Sequence, residues 1–391
     1  MGLLDRRIRI VLAANFIAIA ARMSLVTFLG IYFVRKAGID VGTVGVAFLV
    51  ESLLRGIAAP MFGALSDRVG RRALLIAAAL ATAVVLPSFL LVDGAAALFA
   101  WSMAMGVAGA INMPVATALL LDLAPAERRQ SILAANYTAM SVAYTLGVMP
   151  AGYVAEQSYL VLALIASTGY LLVATLYALA LRAPPMAQRA DAGVLSDTVS
   201  AFRDRAFVLF ASAAFVFPLS MGLVVAASPV YAAEVGLGEG YIGLVLGGNS
   251  LIVALLAMPV AARIEPTGPF RPLGAAALLV AAGIACYALV PGAAAGYLAG
   301  AVVFSFGELV FSSAVPAAVA RLAPPGRRGA YQGGWTLVAS FSMGSALFLS
   351  GLLRDAIGWR AGWLVFAVLI AGAALLLFAW REKFLERSRE R

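Results

Sequence analysis

Histidine is absent from this 391-residue chain, and cysteine occurs once, at Cys286. The first absence removes imidazole metal sites and histidine proton relays. The second rules out an intrachain disulfide. Charge is scarce as well, at 12% Asp, Glu, Lys and Arg against 63% hydrophobic residues. A soluble globular protein carries about a quarter charged residues, so that class is excluded. The chain has no G-x-x-x-x-G-K-[ST] loop and no nucleophile–base or metal-binding cluster. ATP-driven transport and membrane-embedded catalysis lose their usual machinery with them. Long polar stretches are missing too. The longest is about 25 residues, so no soluble domain is expected. Nor does the start resemble a cleaved leader, because Asp5, Arg6, Arg7 and Arg9 run straight into an apolar span.

What is present is a series of apolar runs, each long enough to cross ~30 Å of hydrocarbon. Twelve are predicted, at 8–34, 42–64, 73–92, 95–121, 131–155, 159–181, 207–234, 241–262, 272–290, 296–320, 330–352 and 360–380. Of the 28 Lys and Arg, 22 fall at the two termini and in every second loop. Only Arg35, Lys36, Arg354 and Arg360 occupy the opposite loops. Cytoplasmic loops carry such an excess, so both termini are expected in the cytoplasm, with the chain in a cell (inner) membrane. The net charge of +9 is spread through short loops, which argues against nucleic acid as a partner.

Pro184 and Pro185 end the sixth run, since proline cannot continue a helix. After them Leu195, Val199, Phe202 and Ala206 recur near helical spacing, predicting an amphipathic helix on the membrane surface. The chain then divides into 1–182, a linker at 183–206, and 207–391. A shift of 198 lays Gly45 on Gly243, Asp67 on Glu265 and Gly70 on Gly268, and a shift of 199 lays Arg128–Arg129 on Arg327–Arg328. These matches predict a parallel duplication of six helices, as secondary transporters use.

Between the second and third runs lies a polar knot, Gly63-Ala64-Leu65-Ser66-Asp67-Arg68-Val69-Gly70-Arg71-Arg72. Gly63 and Gly70 are expected to let the backbone bend, and Arg68, Arg71 and Arg72 to stay in the headgroup layer. The stretch resembles the G-x-L-x-D-R-x-G-R-R signature of the major facilitator superfamily. The twelve runs, the central linker and a weak second copy from Arg263 to Arg271 extend the resemblance over the whole chain. The pattern is most similar to the twelve-helix drug:proton antiporter branch. That resemblance implies an all-α integral membrane fold, with two pseudo-symmetric six-helix bundles rocking about a midplane site. It also implies proton coupling and export of amphipathic or drug-like small molecules. Import of a small organic solute or anion held by Arg22 and Arg55 is the alternative, followed by lipid flipping on the same fold. Asp67 would meet the start of helix eleven, and Arg71 would pair with Asp122, together forming a latch. Two departures stand out. Ser102 replaces the branch's arginine four residues before Gly106, and Gly147 to Gly152 is a degenerate form of its helix-five signature. A monomer without cofactor or metal is expected, its partners being substrate, protons and lipid.

Ionisable groups inside the runs cost at least ~2.5–3.5 kcal/mol each, so they face a cavity or a partner. Asn15 and Arg22, seven residues apart, share a face of the first helix. Glu51 and Arg55 are one turn apart, spaced for an intrahelical ion pair. Glu308 lies near the middle of the tenth run. The resemblance places helices one, four, seven and ten around the cavity, which aims Arg22 and Glu308 at the substrate path. Glu308 is the first candidate for the coupling proton and Glu51, with Arg55, the second. A static neutral network of these four is the bland alternative. Asn112, Tyr144, Phe217, Asn249 and Tyr331 are candidate cavity-wall residues. Pro114, Pro150, Pro218, Pro229 and Pro316 are candidate kinks.

Overall fold

A computed structural model describes residues 5–125, 128–180, 199–324 and 327–389. The side chains of a few residues within the helices, Asp67 and Glu265 among them, fall outside that description. All regular structure among the described residues is helical. The first half holds α1 (Arg6–Ile31), α2 (Val41–Val69), α3 (Arg71–Val85), α4 (Ala95–Leu123), α5 (Arg129–Gln157) and α6 (Tyr159–Ala180). The second begins with α7, an interrupted run over Arg205–Glu234, followed by α8 (Glu239–Ile264), α9 (Leu273–Leu289) and α10 (Ala293–Leu322). The last helical run, Arg328–Arg389, divides at Gly358, whose φ of 79° no helix accommodates. Its parts are α11 (328–357) and α12 (359–389).

Ten runs are long and apolar enough to cross a membrane, the last of them containing two crossings. With the 17-residue α9, near the lower limit for a span, the described chain makes twelve crossings.

Local chemistry sets the helix ends. Asp5 accepts from the Arg7 amide at 2.9 Å and Asp204 from the Ala206 amide at 2.9 Å, satisfying first-turn donors of α1 and α7. Asp40 does the same for α2, taking the Thr43 amide at 3.1 Å, and its bonds with Thr43 hold its carboxyl below the usual range. The turns repeat. Gly38 and Gly70 have φ of 67° and 94°, and their counterparts 198 residues on, Gly236 and Gly268, have 92° and 76°. A duplicated chain that turns at the same places puts glycine at both copies, since only glycine enters the left-handed region without strain.

Gly63 behaves differently from the sequence expectation. It lies inside α2, which continues to Val69, and only Gly70 makes the turn. Leu65, Arg68 and Val69 are compatible with helix, so nothing stops α2 before the second glycine. Within α7, Pro229 has no N–H for the carbonyl four residues back, and the helix widens into a π-turn over Leu223–Ala227. Helices α4, α5 and α10 run through Pro114, Pro150 and Pro316 without a break.

The chain forms two compact units. One comprises 1–39, 50–192 and 238–250, and the other 40–49, 193–237 and 251–391. Within the first, Gly147 of α5 lies against α1 so closely that a Cβ there would stand 2.5 Å from the Ala20 carbonyl oxygen. Small residues of this kind let helices meet backbone to backbone where lipid supplies no hydrophobic drive. Of the predicted surface helix, 183–198 lies outside the described residues. Residues 199–203 form a short helical turn with Ala201 buried and Phe202 edge-on to Phe207 at 5.5 Å.

Candidate functional site

In the first unit α1, α2, α4 and α6 converge on a charged centre. Glu51 is ten residues into α2, about 15 Å along its axis and so near mid-depth of a bilayer. Arg22 Nη2 of α1 donates to Glu51 Oε1 at 2.9 Å. Arg55, one turn beyond Glu51, has Nη2 3.7 Å from Oε2 and 3.4 Å from Ser52 Oγ. The sequence spacing points to Glu51–Arg55 as the pair, whereas the shorter bond comes from α1. Tyr170 of α6 lies close to Arg22 and to Asn112 of α4.

Two glycines of α4 make room for this arrangement. A Cβ at Gly106 would stand 2.7 Å from the Glu51 carbonyl oxygen, and one at Gly109 would stand 2.8 Å from Arg22 Nη1. The first contact admits α2 and the second the guanidinium. The side chains of Arg22, Glu51 and Arg55 are 11%, 15% and 30% exposed, so the centre is most open at Arg55.

The chemistry is narrow. Two guanidinium groups and one carboxylate leave the triad with one net positive charge. Arginine does not give up its proton in proteins, so Glu51 is the member that can change charge.

The other predicted residues are spread through both units. Asn15 Nδ2 donates to Asn136 Oδ1 at 2.9 Å, and the Tyr177 hydroxyl donates to Asn15 Oδ1 at 3.4 Å, a buried bridge joining α1 to α5 and α6. Asn112 and Tyr144 are half-buried and Asn249 is buried. Glu308 is half-buried on α10 beside Gly307, where a Cβ would come 2.7 Å from Val280 of α9.

Two of the candidate cavity-wall residues are packed against neighbouring helices. Phe217 is 1% exposed and stacks on Phe311 at 4.9 Å. Tyr331 is 3% exposed, donates its hydroxyl to Asp204 at 2.7 Å and meets the Phe207 ring at 5.2 Å. Both belong to the packing of the second unit. An aromatic in an apolar helix has the same sequence signal whether it faces a ligand or a neighbouring helix.

At the hairpin, Arg71 Nη1 lies 2.9 Å from Asp122 Oδ2 at the end of α4. Arg72 turns to α6, donating from Nε to the Tyr177 carbonyl at 3.1 Å and from Nη2 to the Ala178 carbonyl. Those carbonyls end a helix and face its negative pole, a natural seat for a cation. Arg68 is exposed, and the expected role of Asp67 lies outside the described side chains. Ser102, where the drug:proton branch carries arginine, is fully buried, and its hydroxyl has no partner among the described residues. The sequence singled out neither Tyr170, Asn136 nor Gly109, and marked Gly106 only as part of a motif. A phenol or a glycine in an apolar run carries no mark of what it will touch.

Comparison with known proteins gives consistent matches. The family model described as Major Facilitator Superfamily matches residues 11–307 and again 210–390. An uncharacterized MFS-type transporter, YqjV, of Bacillus subtilis (strain 168) is 22% identical over 396 residues, spanning 98% of this chain and 95% of that protein. A Na(+), Li(+), K(+)/H(+) antiporter of Planococcus maritimus is 25% identical over 370 residues, covering 84% of each. Among solved structures, a point mutant of the nucleoside transporter NupG superposes with a TM-score of 0.82 at 13% identity, over 95% of this chain and 99% of that one.

Proposed function

The chain belongs to the Major Facilitator Superfamily, and from that membership we propose a proton-coupled secondary transporter working by alternating access. It is a multi-pass membrane transporter and not an enzyme. The observation that carries the proton-coupled reading is the mostly buried carboxylate of Glu51 held between Arg22 and Arg55. A proton on Glu51 dissolves the ion triad, and its departure restores it. Side-chain contacts between α1 and α2 therefore change with one protonation event. Coupling needs such a group, because a proton shifts a conformational equilibrium only by binding one state better than the other. Glu308, on α10, is the candidate carboxylate of the second half. The distribution of Lys and Arg supports cytoplasmic termini, and we propose a monomer in the inner membrane.

Exchange, with export of amphipathic compounds against protons, has one observation in its favour. The Planococcus maritimus relative is named an antiporter that uses H(+).

Reconstituted vesicles holding a pH-sensitive dye test the proton-coupled reading. Candidate amphipaths, organic anions and monovalent cations are added in turn under an imposed pH gradient. One of them should move protons with the parent protein, and Glu51→Gln should abolish that movement. Unaltered proton movement with Glu51→Gln and with Glu308→Gln would rule out both carboxylates.

A further inference from the structure

Building on the reading of Glu51 as proton carrier, we propose that the Arg22–Glu51–Arg55 centre is a subsite for an anionic group on the transported molecule. That group is a carboxylate, sulfonate or phosphate, and Arg55 is the residue that recognises it. The two arginines are not equivalent. Arg22 bonds Glu51 at 2.9 Å, touches Tyr170 and fills the space left by Gly109. Arg55 holds Glu51 only at 3.7 Å, and its other polar contact among the described residues is the neutral Ser52 hydroxyl at 3.4 Å. Both contacts use Nη2, which leaves most of its five donors available. A guanidinium at this depth cannot turn its exposed part toward lipid, so that part faces water or a ligand. Its planar fork matches the paired oxygens of a carboxylate or phosphate. A cationic ligand would meet a centre that is already positive.

The subsite also fixes the sign of coupling. The groups around Glu51 are Arg22 from α1, Arg55 and Ser52 from its own helix, Gly106 from α4, and Tyr170 and Asn112 behind Arg22. Ionised, Glu51 competes with an incoming anion for both guanidiniums. Protonated, it releases them, and the charge of the triad rises from one to two. Anion and proton therefore favour each other's binding, which puts co-transport of an anionic solute ahead of exchange.

Thermal-shift measurements on the purified full-length protein in detergent test the subsite. The probes are benzoate, benzenesulfonate and phenyl phosphate, with benzylamine and benzyl alcohol as cationic and neutral counterparts. At least one anion should raise the melting temperature, and benzylamine should not. Arg55→Ala should weaken that anion by about tenfold or more, and Arg55→Lys should restore part of the loss. If Arg55→Ala does not fold, Arg55→Gln takes its place. Benzoate and benzenesulfonate keep their charge between about pH 6 and pH 8, so their pH dependence reports the protein's own proton, up to about tenfold per pH unit. Glu51→Gln should keep the anion shift and lose its pH dependence. No shift with any anion, an equal shift with benzylamine or benzyl alcohol, or an anion shift that survives loss of Arg55 would overturn the subsite. An Arg55-dependent shift that is flat with pH would leave the subsite standing and remove Glu51 as the proton carrier.

Discussion

Arg22 and Glu51 illustrate what one buried contact does in this molecule. Their 2.9 Å bond crosses from α1 to α2 between two mostly buried side chains. Removing Glu51 leaves Arg22 without its counter-charge, a loss of about 3–5 kcal/mol for buried pairs, and removing Arg22 leaves Glu51 only the longer Arg55 contact. Arg22→Ala and Glu51→Ala should each lower the melting temperature, and the double variant should lose much less than their sum. A double-mutant cycle on the purified protein measures this, and simple additivity would show that the contact is not energetically coupled. The pair was only half legible in the sequence. Glu51 and Arg55 are visible as charges in an apolar run, but a partner 29 residues away depends on how α1 rolls against α2. No periodicity within either helix encodes that rotation.

Helices show the opposite balance. Their number and order were legible, because every crossing needs a long apolar run and lipid tolerates no unpaired backbone. Where they end was less so. The knot from Gly63 to Arg72 reads as one turn with two hinges, yet α2 runs through Gly63 and bends only at Gly70. The two glycines should therefore respond oppositely to substitution. A Cβ at Gly63 meets nothing within 4 Å, so Gly63→Ala should leave stability unchanged or raise it by about 0.5–1 kcal/mol. Gly70→Ala must hold alanine at a φ of 94° and should cost about 1–2 kcal/mol. Melting temperatures of the two variants decide it, and equal effects would refute a single-hinge turn. Close approach between helices acts at the same scale. A Cβ at Gly45 would reach within 2.3 Å of the Phe348 backbone in the second unit, and one at Gly243 within 2.8 Å of the Val148 carbonyl in the first. These glycines, 198 residues apart, fit their helices in the same way. Gly45→Ala and Gly243→Ala should each be destabilising by about 1–3 kcal/mol, again read as melting temperature.

For the whole molecule, the repeat and the charge of the loops were legible because membrane insertion writes them into composition. The members of the candidate centre were legible as charges, but their pairing was not, because the partners come from different helices. One carboxylate among two arginines is the feature on which the proposed proton coupling and anion recognition both depend. Proton counting tests it most directly. Benzenesulfonate, or whichever of the three anions binds, is added to the detergent-solubilised protein in weak buffer near neutral pH, and the pH change is recorded. Net uptake of protons, up to about one per anion bound, is predicted for the parent and none for Glu51→Gln. An anion that binds without proton uptake, or the same uptake by Glu51→Gln, would contradict the assignment of the coupling proton to Glu51.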